Sequence, residues 1–166
     1  MGSKKRWSIS VMQIPEGLDD LYQEVILDHY KKPRHKGSLV APDLKSEGFN
    51  PFCGDQVILS IKLSDTGSVS EIAFDGEGCS ISQASASMLV SNIYGKDLSH
   101  AETLITDFKN IMQGADLTTD QEENMGELLA LQGVREFPIR IKCALLGWTT
   151  LQDAISEYKA QRNFII

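Results

Sequence analysis

Apolar positions along the chain change period several times, and each change marks an element. Leu18, Leu21, Tyr22, Val25 and His29 recur at i, i+3, i+4, i+7 and i+11, the stripe of an amphipathic helix. Pro33 and Gly37 end it. Ser38 to Phe52 contains Pro42, Gly48 and Pro51 and reads as an ordered loop or a short edge strand. Val57, Leu59, Ile61 and Leu63 then alternate with Ile58, Ser60 and Lys62, the period of a strand. Asp65-Thr66-Gly67 supplies a turn, and Val69 to Phe74 returns as the second strand of a hairpin. Gly76-Glu77-Gly78 leads into Cys79 and a helix over about Ser80 to Tyr94, stopped by Gly95. Its small residues (Ser82, Ala84, Ser85, Ala86, Ser87) let its backbone lie close against a sheet. Ser99 with Glu102 has the pattern of a capping box ahead of Leu104, Ile105, Phe108, Ile111 and Met112. Gly114 to Asn124 is polar and acidic, a loop. Leu128, Leu129 and Leu131 suggest a short helix, and Pro138 opens another through Leu146. Thr149 with Gln152 gives a second capping box before Leu151, Ala154, Ile155 and Tyr158. Strands first and helices later predict an α+β fold, a small antiparallel sheet with helices packed on one face.

Composition narrows the function. The 166 residues suit one domain, with residues 1–15 a mobile leader and 16–166 the folded unit. Sixteen Lys+Arg against 23 Asp+Glu leave a formal charge of −7, the wrong sign for a chain that displaces counterions from phosphates. Nucleic acid is therefore not expected as a partner. Apolar runs are as short as Leu128 to Leu131, and no basic amphipathic helix is evident, so no membrane association is expected. Lys4, Lys5 and Arg6 precede no apolar stretch of the secretory kind, and Arg6 stands where myristoylation favours Ser or Thr. The expected compartment is the cytoplasm. Three cysteines in a reducing compartment argue against a disulfide framework.

Those cysteines are the first candidates for chemistry. Free cysteines are commonly small buried hydrophobes. Here their settings differ from that pattern. Cys53 lies in the tight segment Asn50-Pro51-Phe52-Cys53-Gly54-Asp55 ahead of a strand. Cys79 follows a Gly-x-Gly turn at a helix start, where backbone N–H groups lower a thiol's pKa, and Cys143 follows Arg140 and Lys142 in a helix opened by Pro138. In an extended loop residues i and i+2 point the same way, so Cys53 and Asp55 can converge on one ion across Gly54. Asp55 could equally be a turn former bonding nearby N–H groups. Three thiolates and a carboxylate suit tetrahedral Zn²⁺ or the iron of an iron–sulfur cluster.

The words of the sequence go further. Leu21-Tyr22-Gln23-Glu24-Val25-Ile26-Leu27-Asp28-His29-Tyr30 with Pro33-Arg34, then Asn50-Pro51-Phe52-Cys53-Gly54-Asp55, then Gly76-Glu77-Gly78-Cys79-Ser80-Ile81-Ser82, closely resemble the NifU/IscU-like family of iron–sulfur cluster assembly proteins. The resemblance runs from about Leu18 to Tyr158. It implies one metal or cluster site at the tip of an α+β domain, with Cys53, Asp55, Cys79 and Cys143 as ligands. Two departures select a branch. The cluster-scaffold branch usually has His just before the last cysteine, where this chain has Lys142, and there is extra chain around Gly114 to Val134. Both features, with Arg140, look like the SufU branch.

That resemblance implies a zinc-dependent acceptor and relay of persulfide sulfur. Its partners would be a cysteine desulfurase of the SufS type and downstream iron–sulfur assembly proteins. Cys53 is the expected acceptor, released from the ion when it takes sulfur, and Asp55 is the exchangeable oxygen ligand. Three thiolates and a carboxylate around Zn²⁺ leave about two negative charges, which Arg140 and Lys142 would offset. The alternatives are a scaffold that builds a 2Fe–2S cluster on the same residues, and a non-catalytic adaptor in which zinc only stabilises the fold. A thiol hydrolase using His29, His35 or His100 has no nucleophile motif behind it, and His29 on its apolar stripe reads as a packed histidine. The basic run Lys31 to Lys36 reads as a solvated helix end or a patch for an acidic partner, and Trp148 as core or helix-junction packing.

Overall fold

The computed structural model describes residues 20–165. The leader expected over residues 1–15 lies outside them. Three strands form one antiparallel sheet in the order β1 (Leu44–Asn50), β2 (Asp55–Leu63), β3 (Val69–Asp75). The segment left open as loop or edge strand is thus edge strand β1, pairing Leu44 with Ile61 through to Asn50 with Asp55. β2 meets β3 through the turn read at Asp65 to Gly67, from Leu63–Val69 to Ile58–Asp75. Alternation does what the period requires: Val57, Leu59 and Ile61 are fully buried.

Among the described residues five α-helices accompany the sheet: α1 (Asp20–Lys31), α2 (Ser80–Ile93), α3 (Leu98–Met112), α4 (Thr119–Met125) and α5 (Pro138–Ile165), with a 3₁₀ segment over Gly126–Glu136 between the last two. α5 crosses β1 and β2, and α3 packs on α5. The small residues of α2 serve a different purpose from the one expected. α2 packs chiefly against α1 and α5, with β3 at its side, so they permit helix–helix approach more than helix–sheet approach. There they also carry hydrogen bonds: Ser85 Oγ donates to Ala144 O at 2.6 Å and accepts from Trp148 Nε1 at 3.0 Å.

Three boundary readings are corrected. The cap of α3 is Asp97, whose carboxylate accepts the His100 N–H at 2.8 Å, and Ser99 lies inside the helix. The expected loop over Gly114 to Asn124 contains α4, opened by a capping box between Thr118 and Gln121. The helix read as ending at Leu146 continues without a break, and Thr149 and Thr150 bond back to Leu146 O at 3.0 and 2.7 Å instead of capping. Continuity is set by Trp148, which is fully buried and stacked on Phe108 at 4.2 Å between centroids. Trp148 is core, in mid-helix.

Candidate metal centre

The turn from β1 to β2 is built on Asn50. Its carbonyl accepts the Gly54 N–H at 2.8 Å, and its Oδ1 accepts the Phe52 N–H at 3.2 Å. Gly54 sits at φ +70°, a left-handed conformation that suits glycine. Cys53 and Asp55 are therefore not successive members of an extended loop. They converge because the chain reverses at Gly54, and Asp55 is already the first residue of β2. From α5, five residues after Pro138, Cys143 arrives from the other side. The Sγ atoms of Cys53 and Cys143 and a carboxylate oxygen of Asp55 lie within 4.8 Å of one another, with the two sulfurs 3.2 Å apart.

Cys79 occupies the N-cap of α2 and borders this group without joining it within 4.8 Å. Its N–H donates to Asp55 Oδ1 at 2.9 Å, and its Sγ lies 3.9 Å from Ser82 Oγ. The turn before it must be glycine: a Cβ on Gly78 would stand 2.4 Å from Asp55 Oδ1 and 2.6 Å from Ser82 Oγ. One carboxylate oxygen of Asp55 is thus held by backbone, while Oδ2 lies 3.5 Å from the Asn50 amide. Asp55 bonds an N–H, as a turn former would, and still presents an oxygen to the sulfurs.

Hydrogen bonding shifts the Cys79 and Cys143 thiols in opposite directions. Hydrogen bonding to Cys143 draws Cys79 down to about 6, helped by the Ser82 N–H and opposed by burial and by the Asp55 carboxylate. Cys143 moves the opposite way, pushed up first by that same bond to Cys79, then by burial and by Cys53. The two thiols therefore titrate as a coupled pair. Arg140 answers the accumulated charge. Burial lowers its pKa, but the charges of Cys79, Cys143 and Cys53 outweigh that and raise it. The expectation that Lys142 shares this task is not met in the same way: Lys142 is exposed, with Nζ 4.4 Å above the Phe52 ring.

Tetrahedral zinc with bonds of roughly 2.0 to 2.3 Å needs donor–donor spacings of about 3.5 Å, so the Cys53, Asp55 and Cys143 group fits a single ion after small side-chain adjustment. A cleft of about 690 Å³ opens beside it, lined by Cys53, Cys79, Phe137, Ile139 and Arg140 among others. Cys53 is half-buried, whereas Cys79 and Cys143 are buried. Phe49, Phe52 and Ile139, all exposed, surround this end of the molecule.

Sequence reasoning missed Asn50 as more than part of a motif. Its Nδ2 lies 3.5 Å from Asp55 Oδ2 and 3.7 Å from Cys143 Sγ. The signal available was an Asn three residues before Cys53, where its side chain could accept the N–H two residues on and brace that loop. The histidines stay out of the cluster. His29 is buried between Ser87 and Glu127, the His35 ring lies tilted against Tyr94 with centroids 5.1 Å apart, and the His100 backbone serves a cap. In the basic run, Arg34 pairs with Asp28 at 2.5 Å, and Lys36 bonds Gly76 O and Gln83 at 3.0 and 2.8 Å.

Two thiols and a carboxylate gathered at one end of a small α+β fold, with a third thiol beside them, make a group that could hold a metal ion. The chain belongs to the family of the NifU-like N terminal domain, whose model matches residues 21–164. It is 44% identical over 149 residues to the zinc-dependent sulfurtransferase SufU of Bacillus subtilis, covering 88% of this chain and 97% of that protein. It is 41% identical over 138 residues to the iron–sulfur cluster assembly scaffold protein IscU of Streptococcus pyogenes, covering 83% and 84%. A crystal structure from Fervidobacterium islandicum, named as an iron–sulfur cluster assembly scaffold protein for the SUF system, superposes with a TM-score of 0.74. It is 33% identical, over 79% of this chain and 93% of that one. No described helix is long and apolar enough to cross a membrane.

Proposed function

We propose that this protein accepts and relays persulfide sulfur for iron–sulfur cluster assembly, in the cytoplasm, with Zn²⁺ as its cofactor. Its donor would be a cysteine desulfurase of the SufS type, and its recipients downstream iron–sulfur assembly proteins. The observation that carries the reading is the inequality among the thiols: Cys53 is half-buried and lines the cleft, while Cys79 and Cys143 are buried. A sulfur acceptor needs one thiol that a partner can reach and others that stay in place. The relationship to the sulfurtransferase named above supports the same choice.

Cys53, Asp55, Cys79 and Cys143 would hold the ion. Bound zinc supplies a non-redox centre that keeps cysteine as thiolate near neutral pH. Cys53 thiolate attacks the outer sulfur of the donor's persulfide. The donor's S–S bond breaks, a new S–S bond forms on Cys53, and the donor cysteine leaves as thiolate, with no net oxidation. Arg140 balances the negative charge of the sulfurs, and the exposed Phe49, Phe52 and Ile139 offer a partner protein apolar area around the site.

The competing reading, a scaffold for a 2Fe–2S cluster, has the named scaffolds among the relatives behind it. Against it, the position before Cys143 carries a lysine turned onto Phe52 instead of an imidazole for the site. Metal analysis with a visible spectrum separates the two. One zinc in colourless protein is expected, and a brown chromophore overturns the relay. Cys53→Ala should abolish sulfur acceptance from a desulfurase while zinc still binds, more weakly; full acceptance by that variant removes Cys53 from its role. An adaptor would unfold on chelation, whereas a relay loses transfer first.

A further inference from the structure

Asn50 is 5% exposed, is none of the four proposed donors, and its side-chain amide faces two of them. Its carbonyl and Oδ1 hold the Gly54 and Phe52 N–H groups and so shape the loop that carries Cys53. That uses the oxygen atoms. The two hydrogens on Nδ2 remain, and Nδ2 lies 3.5 Å from Asp55 Oδ2 and 3.7 Å from Cys143 Sγ. The second distance is ordinary for an N–H donor to sulfur; the first is long, and tightens if the carboxylate turns. One amide thus reaches donors from the β1–β2 turn and from α5, 93 residues away in the chain.

We infer that Asn50 is a positioning residue for the metal centre: its amide fork sets Asp55 and Cys143 relative to one another. The inference rests on the proposed metal site and adds a residue to it. Arg140 offsets the charge of the sulfurs as a full cation from the cleft side. Asn50 faces Cys143 as a neutral dipole from the buried side, where a second cation would carry a desolvation cost. Outlying groups that orient ligands in this way change metal affinity by about 10- to 100-fold.

Asn50→Asp separates the two jobs. It keeps an oxygen for the Phe52 N–H but replaces the donor fork with an acceptor facing Asp55 and Cys143. With Co²⁺ as a spectroscopic probe, wild type should give intense tetrahedral d–d bands and thiolate charge-transfer bands. Asn50→Asp should bind Co²⁺ and Zn²⁺ about 10- to 100-fold more weakly, with shifted bands, while the metal-free far-UV circular dichroism stays the same. Unchanged affinity and bands in that variant overturn the inference. In wild type, the Asn50 side-chain ¹⁵N–H₂ resonances should shift and exchange more slowly on adding Zn²⁺. Resonances that ignore the metal also overturn it, whether or not the variant folds. Wild type that binds neither ion would instead overturn the metal site itself, so the two failures are distinct.

Discussion

His29 and Cys143 are both fully or nearly fully buried polar-capable groups on helices, and their surroundings are built in opposite ways. Around His29 the partners complement one another. The Arg34 N–H donates to Ser87 Oγ at 2.9 Å, which leaves the Ser87 hydroxyl to donate to His29 Nδ1 at 2.8 Å. Nε2–H then donates to Glu127 Oε1 at 2.7 Å. Donors and acceptors alternate to the end of the chain of bonds, tying α1 and α2 to the 3₁₀ segment. Around Cys143 acceptors crowd together, two sulfurs 3.2 Å apart and a carboxylate oxygen in the same group, faced by the neutral Asn50 amide. Acceptors so gathered need a proton or a cation among them. A closed alternation is a brace for the fold, and an unbalanced cluster of acceptors is a site. Burial alone does not tell them apart.

The largest expected effect of separating the two lies at the cluster. Cys143→Ala removes a buried donor, so zinc affinity in a chelator competition should fall by more than the roughly 100-fold that outlying groups contribute. Unaltered affinity would erase the distinction from the metal side. Next comes the brace. His29→Ala leaves Ser87 and Glu127 without their partner and should cost about 1–3 kcal/mol in denaturant unfolding of the zinc-free protein. Zinc affinity should hold. A parallel loss of affinity would mean that the two clusters are one system.

A milder test uses pH. Burial holds the His29 imidazole below its usual value, against the raising pull of Glu127. The unfolded chain therefore takes up a proton near the ordinary 6.5 that the folded one refuses. This contribution is fully present above that pH and is lost as pH falls towards the lower folded value. His29→Gln should flatten that part of the stability profile of zinc-free protein, and an identical slope would count against the assignment. The smallest change is at the rim: Lys142→Ala removes a cation over an exposed ring and should cost less than about 1 kcal/mol of stability. A larger loss would make Lys142 part of the centre after all.

Much of this contrast was legible before any coordinates. Strand alternation over Val57 to Leu63, the Gly-x-Gly turn before Cys79 and the Pro138 opening of the helix with Cys143 are all local patterns, and each holds. His29 on an apolar stripe also reads correctly as packed. The misreadings share a cause. Ser99 with Glu102 and Thr149 with Gln152 satisfy a capping pattern, yet neither caps a helix, because Asp97 intervenes in one case and the burial of Trp148 overrides the other. Small residues on α2 announce close approach without saying to what.

By itself the sequence determined which side chains can hold a soft metal or carry sulfur, and the local platforms that present them: a turn, a helix N-cap and a helix face. It could not determine their meeting. Cys53 and Cys143 touch across 90 residues, and Asn50 joins both ends of that span, only because α5 packs across β1 and β2. That packing is decided by the burial of side chains far from the cysteines, a cooperative property of the whole core that no short stretch of chain encodes.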